Sequence, residues 1–241
     1  MPPGYQGVAL ALLCMGGSNA APTVATSLGP VVGRTVGSAN EFLGIPFAVP
    51  PLGEQRFAAP EDFSDDFPAE GYDASSYKSV CPQRGMDGVT SGDEDCLYLN
   101  VHAPAAATND SHLPVLVFLH GGGLTSGAGS EYNCSVLATE DSDQASICVT
   151  LNYRLGALGM LQTFDLEGTN SYMLDQRSAL RWVQVNMTTN FTSHRSLPSI
   201  SFLLDLRHFL SLFFAVHLHF LTRGHFFFSE KLQISAATRR T

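Results

Sequence analysis

Basic side chains are scarce in this 241-residue chain, lysine above all: Lys78 and Lys231 are the only two, beside 22 acidic residues. With a net charge of −9 and a pI near 5.2, no basic surface is available to neutralise phosphates, which excludes a nucleic-acid partner and disfavours an anionic membrane surface. Neither lysine follows a glycine loop in the Gly-x-x-x-x-Gly-Lys-Ser/Thr arrangement, so a nucleotide phosphate loop is excluded too. Tryptophan occurs once, as Trp182, and reads as a core residue. The C-terminal region lacks an apolar run of membrane-spanning length. Its longest stretch free of Asp, Glu, Lys and Arg, His208 to Thr222, is 15 residues and holds three histidines, against about 20 apolar residues for a span. His217 and His219 would share a strand face, but no further ligands accompany them, so no metal centre and no cofactor are expected.

At 44% hydrophobic, the chain is long enough for one α/β domain with a core of its own. Its most informative stretch is Leu113 to Gly123, which ends Val115-Leu-Val-Phe-Leu-His-Gly-Gly-Gly123. Five consecutive apolar residues do not alternate as a half-exposed strand would, which predicts a parallel strand buried on both faces. A glycine triplet directly after such a strand is either an ordinary turn or a loop whose successive N–H groups converge on an anion.

The first twenty residues carry no charged side chain, have an apolar centre from Val8 to Met15 and end in Ser18-Asn-Ala20, which predicts a secretory signal peptide over 1–20, although a basic start is lacking. Its removal takes Cys14 and leaves Cys81, Cys96, Cys134 and Cys148, an even number that in an exported chain suggests disulfides. Asn-x-Ser/Thr triplets at Asn109, Asn133, Asn186 and Asn190 are glycosylation candidates. Together these point to a secreted, extracellular protein.

Further along, Val31–Val36 and Phe42–Phe47 read as an N-terminal hairpin, followed by an acidic, solvated loop from Glu61 to Asp73. Tyr98–Val101 reads as a strand, Val136–Ala138 as one helical turn, and Ile147–Leu151 as a second buried strand, giving a strand, a crossover and a parallel strand. Asn170-Ser171 then offers an N-cap for an amphipathic helix whose apolar face would be Met173, Leu180, Val183 and Met187.

Five motifs stand in register between residues 30 and 187: Gly44-Ile-Pro-Phe-Ala with Pro50-Pro-Leu-Gly-Glu-Gln-Arg-Phe57, Glu94-Asp-Cys-Leu-Tyr-Leu-Asn-Val101, His120-Gly-Gly-Gly123, Leu151-Asn-Tyr-Arg-Leu-Gly-Ala-Leu-Gly159 and Leu174-Asp-Gln-Arg-Ser-Ala-Leu-Arg-Trp-Val183. In this order they resemble the type-B carboxylesterases, a family that includes cholinesterases and fungal extracellular lipases. The resemblance implies the N-terminal portion of an α/β-hydrolase fold over 21–187, with a central, mostly parallel sheet, and a small-molecule or lipid ester as substrate. It implies that the N–H groups of Gly122 and Gly123 are oxyanion donors, with His120 and Gly121 supporting their loop. It also implies a Cys81–Cys96 disulfide and two partly buried ion pairs, Arg56 with Glu94 and Arg154 with Asp175. Cys134 and Cys148 have no counterpart to match and either pair or remain core thiols. Where the family has glycines before Leu174, this chain has Thr169 and Tyr172.

The nucleophile elbow that such enzymes need, Gly-x-Ser-x-Gly, occurs nowhere in the 241 residues. Gly123-Leu-Thr-Ser-Gly127 is the nearest imitation, but it directly follows the glycine loop and reads as that loop's exit. At Met187 the composition also changes: residues 1–187 carry a net −13 and residues 188–241 a net +4, and half of the 16 phenylalanines lie between Phe202 and Phe228. The expectation is therefore a sheet cut off before the elbow and left with an open edge. Residues 188–241 would be an aberrant hydrophobic and basic tail read from non-coding sequence or a wrong frame, and the chain would lack the catalytic serine, acid and histidine and be inactive. The alternatives are a non-catalytic binding or adhesion module on the same scaffold and, for the tail, an amphipathic membrane segment.

Overall fold

The computed structural model describes residues 20–204, apart from 86–87, 89, 109–110, 112, 139–144, 162–169 and 189–199; for Thr188 and 200–204 the backbone alone is described. The signal segment, Asn109, Asn190 and the histidines of the tail thus lie outside the described residues. In chain order the strands are β1 (Thr23–Thr26), β2 (Gly29–Val32), β3 (Arg34–Val36), β4 (Ala39–Pro46), β5 (Tyr72–Asp73), β6 (Gln83–Arg84), β7 (Thr90–Ser91), β8 (Tyr98–Pro104), β9 (Val115–Leu119), β10 (Ile147–Leu151) and β11 (Ile200–Leu204). The helices are a single turn, α1 (Gly156–Met160), and α2 (Ser171–Thr188); 3-10 turns occupy Gly53–Phe57, Gly129–Glu131 and Cys134–Ala138.

Six strands form the central sheet in the order β11-β9-β10-β8-β4-β3. β9 and β10 run parallel with Val117 opposite Val149, whereas β8 pairs antiparallel with both β10 and β4. A parallel pair needs a crossover, and the long connection from Leu119 to Ile147 supplies it. β4 carries a bulge between Phe42 and Ile45. Gly44 takes φ +70° there, and its N–H, turned out of the ladder, donates to Asn100 Oδ1 at 2.9 Å. A separate three-stranded sheet joins β1, β2 and β5.

The core lies between the sheet and α2. Phe42, Leu99, Val101, Val117, Val149 and Leu151 of the sheet meet Ala179, Val183 and Met187 of the helix. Burying each large apolar side chain contributes about 1.5–3 kcal/mol.

Three expectations change. β10 is buried along its whole length, but on β9 only Val115 and Val117 are; Leu116 and Phe118, on the opposite face, and Leu119, at the strand end, stay half-buried. The inward face of α2 runs through Tyr172, Asp175, Ala179, Val183 and Asn186, while Met173 and Leu180 are half-buried at its margin. Of the expected apolar face, Val183 and Met187 are buried, while Met173 and Leu180 lie off its centre, because two of the most buried positions, Asp175 and Ser178, are polar and carry no apolar signal. Finally, the sheet edge beside β9 is not open: β11 pairs parallel with it, Phe202 opposite Val117. A short segment with four apolar residues, Ile200, Phe202, Leu203 and Leu204, inside a tail without overall alternation supplied that strand.

Candidate oxyanion site

β9 delivers the chain to His120 at the C-terminal edge of the sheet, beside the end of its parallel neighbour β10. The His120 ring is 4% exposed and stacks on the Tyr153 ring, 4.3 Å between centroids and 11° between planes. Tyr153 Oη donates to the His120 carbonyl at 2.7 Å. Burial pushes the Tyr153 pKa up, so the phenol keeps its proton and stays a donor. Burial pushes the imidazole of His120 below its usual 6.5, opposed by its bond to the Gly121 carbonyl, and the ring is neutral. Its Nδ1 lies 2.9 Å from the Gly121 carbonyl, which can only accept, so Nδ1 carries the proton.

From there the backbone turns left-handed: φ is +120° at Gly122, +64° at Gly123 and +62° at Leu124. A Cβ on Gly122 would collide with the Ser126 carbonyl, which is why a side chain is not tolerated. The Gly122 carbonyl is heavily used: it accepts the N–H groups of Thr125 and Ser126, both at 3.2 Å, and their hydroxyls at 3.2 and 3.3 Å. Thr125 is thus part of the loop's exit. The Leu124 carbonyl accepts the Gly156 N–H at 2.7 Å, which ties the loop to the start of α1. Among the described residues, the N–H groups of Gly122 and Gly123 donate to no protein acceptor. Two successive free donors on a loop otherwise bonded through its carbonyls can stabilise negative charge on one oxygen.

Around this loop the sequence-derived residues fall into place unequally. Arg154 and Asp175 are 2% and 0% exposed, with Nη2–Oδ1 at 2.6 Å, Nε–Oδ2 at 2.9 Å and the Arg154 N–H on Oδ2 at 3.0 Å. Burial pulls the Asp175 carboxyl upward, against the guanidinium that pulls it down. Arg154 Nη1 also donates to the carbonyls of Arg56 and Ala58, so one side chain joins α2 to the Gly53–Phe57 turn. Arg56 and Glu94 meet at 2.6 Å and are 43% and 26% exposed, so this pair is only partly buried and far more open than Arg154 with Asp175.

Cys81 bonds to Cys96, and Cys134 bonds to Cys148, which resolves the alternative left open for the second pair. Of the glycosylation candidates, Asn133 is exposed. Asn186 is a correction: it is 4% exposed, its Oδ1 accepts the Ser27 N–H and its Nδ2 donates to the Trp182 carbonyl, both at 2.9 Å, so neither the space nor the amide is available to a glycan. Among the described residues no cluster of metal-ligating side chains occurs, and no helix is long and apolar enough to cross a membrane. Tyr153 was missed as a loop support although it lies within a quoted motif, since a hydroxyl-to-carbonyl bond leaves no periodic signal.

Three parallel strands, β11, β9 and β10, continued by the antiparallel β8, β4 and β3, with a glycine loop at the C-terminal end of β9, are the N-terminal part of an α/β-hydrolase fold. More narrowly, the chain belongs to the carboxylesterase family, whose model matches residues 20–191. It is 43% identical over 187 residues to Carboxylesterase 3 of Pongo abelii, covering 69% of this chain and 32% of that protein. Among solved structures it resembles a PNB esterase, with a TM-score of 0.61 and 40% identity over 70% of this chain and 35% of the other. It also resembles EstA of Aspergillus niger, with a TM-score of 0.63 and 34% identity over 73% and 34%. The chain spans about a third of the length of the curated relatives it matches.

Proposed function

We propose that residues 21–187 build the oxyanion-binding side of a serine carboxylesterase acting on small-molecule or lipid esters, and that the 241-residue chain alone does not turn esters over. One observation carries the first half: among the described residues, two adjacent N–H groups, on Gly122 and Gly123, have no protein acceptor, on a loop held through the carbonyls of Gly121, Gly122, Leu124 and Gly127. In acyl transfer a serine hydroxyl attacks the ester carbonyl, and the carbonyl oxygen becomes a tetrahedral oxyanion. These donors fit that charge, and because the loop is already arranged they need no reorganisation as it forms. The neutral His120 has its proton committed to Gly121, so in this site it shapes the loop and is not the general base.

The second half is supported by the lack of any Gly-x-Ser-x-Gly in the 241 residues. The elbow is what exposes a serine and aims it at the donors, and without a nucleophile the covalent route itself is lost. Incubation with a fluorophosphonate and with a p-nitrophenyl ester is expected to give neither labelling nor turnover. One label per chain would refute this half.

A further inference from the structure

The glycine loop is gripped from outside by one side chain that neither its motif nor its spacing singles out. Gln83 Oε1 accepts the Gly127 N–H at 2.7 Å, and its Nε2 donates to the Gly127 carbonyl at 3.1 Å and to the Cys81 carbonyl at 3.2 Å. The contact spans 44 residues of sequence. A carboxamide offers donor and acceptor side by side, so among single side chains only Asn and Gln can take hold of both the N–H and the C=O of one residue in this way. The orientation of the amide follows from the partners, since a backbone N–H needs the oxygen and a carbonyl needs the NH2.

Gly127 is the exit of the loop, and it lies directly against the entry. It holds φ +107°, and a Cβ there would strike the Gly121 carbonyl and approach His120 Nδ1 to 2.6 Å. Fixing Gly127 therefore fixes the second leg of the turn on which Gly122 and Gly123 stand. Gln83 has a firm base for this: it lies on β6, paired with β7 opposite Ser91, two residues from Cys81 and inside the loop closed by the Cys81–Cys96 disulfide. Free N–H groups tend to find protein acceptors when their loop can move. A latch on the exit opposes that collapse.

We propose that Gln83 is a positioning residue of the oxyanion loop, holding Gly127 at both backbone groups so that the Gly122 and Gly123 donors stay rigid and free. The proposal rests on the oxyanion reading for its purpose. Its test is independent of that reading, because it uses neither an anion nor an ester: failure here would leave the oxyanion reading standing, and failure of that reading would leave the grip measurable.

The experiment is amide exchange and 15N relaxation on the full chain, comparing the parent with Gln83→Met, which keeps the length and removes both bonds, and with Gln83→Glu, which keeps an acceptor for the Gly127 N–H. In Gln83→Met, exchange at Gly127, Thr125 and Ser126 is expected to quicken at least about tenfold. The order parameters of Gly122 and Gly123 should fall from about 0.85 toward about 0.6. The Leu43 N–H, bonded to the Ala74 carbonyl far along the chain, should keep its rate. In Gln83→Glu the Gly127 N–H keeps an acceptor while a carboxylate oxygen meets the Gly127 and Cys81 carbonyls, so the protection of Gly127 should fall between those of the parent and of Gln83→Met. Unchanged order parameters and exchange in Gln83→Met would overturn the proposal, as would a uniform acceleration that includes Leu43. Should the Met variant not fold, equal loss of protection at Gly127 and Leu43 in the Glu variant would overturn it as well.

Discussion

His102 and His120 are both buried imidazoles, at 0% and 4% exposure, and burial holds both below the usual 6.5; at His102 the nearby Glu41 carboxylate, 3.6 Å from Nδ1, opposes the shift. In the unfolded chain both rings take up a proton near pH 6.5. Below that pH the unfolded state binds more protons than the folded one, so the contribution to stability is complete above about pH 6.5 and is lost as pH falls toward the depressed folded values. The melting temperature is expected to drop between about pH 7.5 and about pH 5.5, with a shallower slope in His102→Gln. A flat profile in the parent would contradict this. At this scale the sequence was only partly legible. Gly122, Gly123, His120 and both members of each ion pair were found through their motifs. Gln83 and Tyr153 were not, because each acts through neutral side-chain bonds to backbone groups, which have no period and no charge. Asn186 shows the converse: its triplet reads as a surface signal, but the residue falls on the inward face of α2.

Among the elements, β9 and β10 could be read as strands from two mainly apolar five-residue runs, Val115–Leu119 and Ile147–Leu151, neither of which alternates as a half-exposed strand would. The direction of β8 could not, because the same seven residues serve equally well parallel or antiparallel; only the pairing with β4 and β10 decides it. α2 was legible as a helix and, through Val183 and Met187, in part of its buried face, but not at the polar centre of that face, Asp175. That residue ties the helix to the segment after β10 through Arg154, and through it to the turn before Ala58. Removing one member leaves the other charge buried without its partner. Asp175→Ala should therefore cost about 3–5 kcal/mol in urea unfolding. A cost near that of a surface pair, below about 1 kcal/mol, would show that the pair is not a buried lock.

For the molecule as a whole, the change in charge from −13 to +4 across Met187 and the family match ending at residue 191 frame the proposal that most of 188–241 is foreign to the enzyme. β11 is a strand within that stretch, and a five-residue segment with four apolar residues suffices to occupy a parallel edge. The mature transcript is expected to diverge from the present sequence after the codon for Met187 and to continue into a Gly-x-Ser-x-Gly; a spliced message that keeps the tail and contains no such elbow would contradict this. The most direct measurement concerns the glycine loop itself. Residues 20–191 would replace the matching part of the PNB esterase, so that this chain's loop serves that enzyme's own serine. The chimera is predicted to hydrolyse esters, and Gly122→Ala within it, by displacing the loop at the Ser126 carbonyl, to lower kcat by about 10²–10³-fold. A folded chimera that is inactive with its serine intact, or whose activity is indifferent to Gly122→Ala, would contradict the assignment of this loop as the oxyanion site.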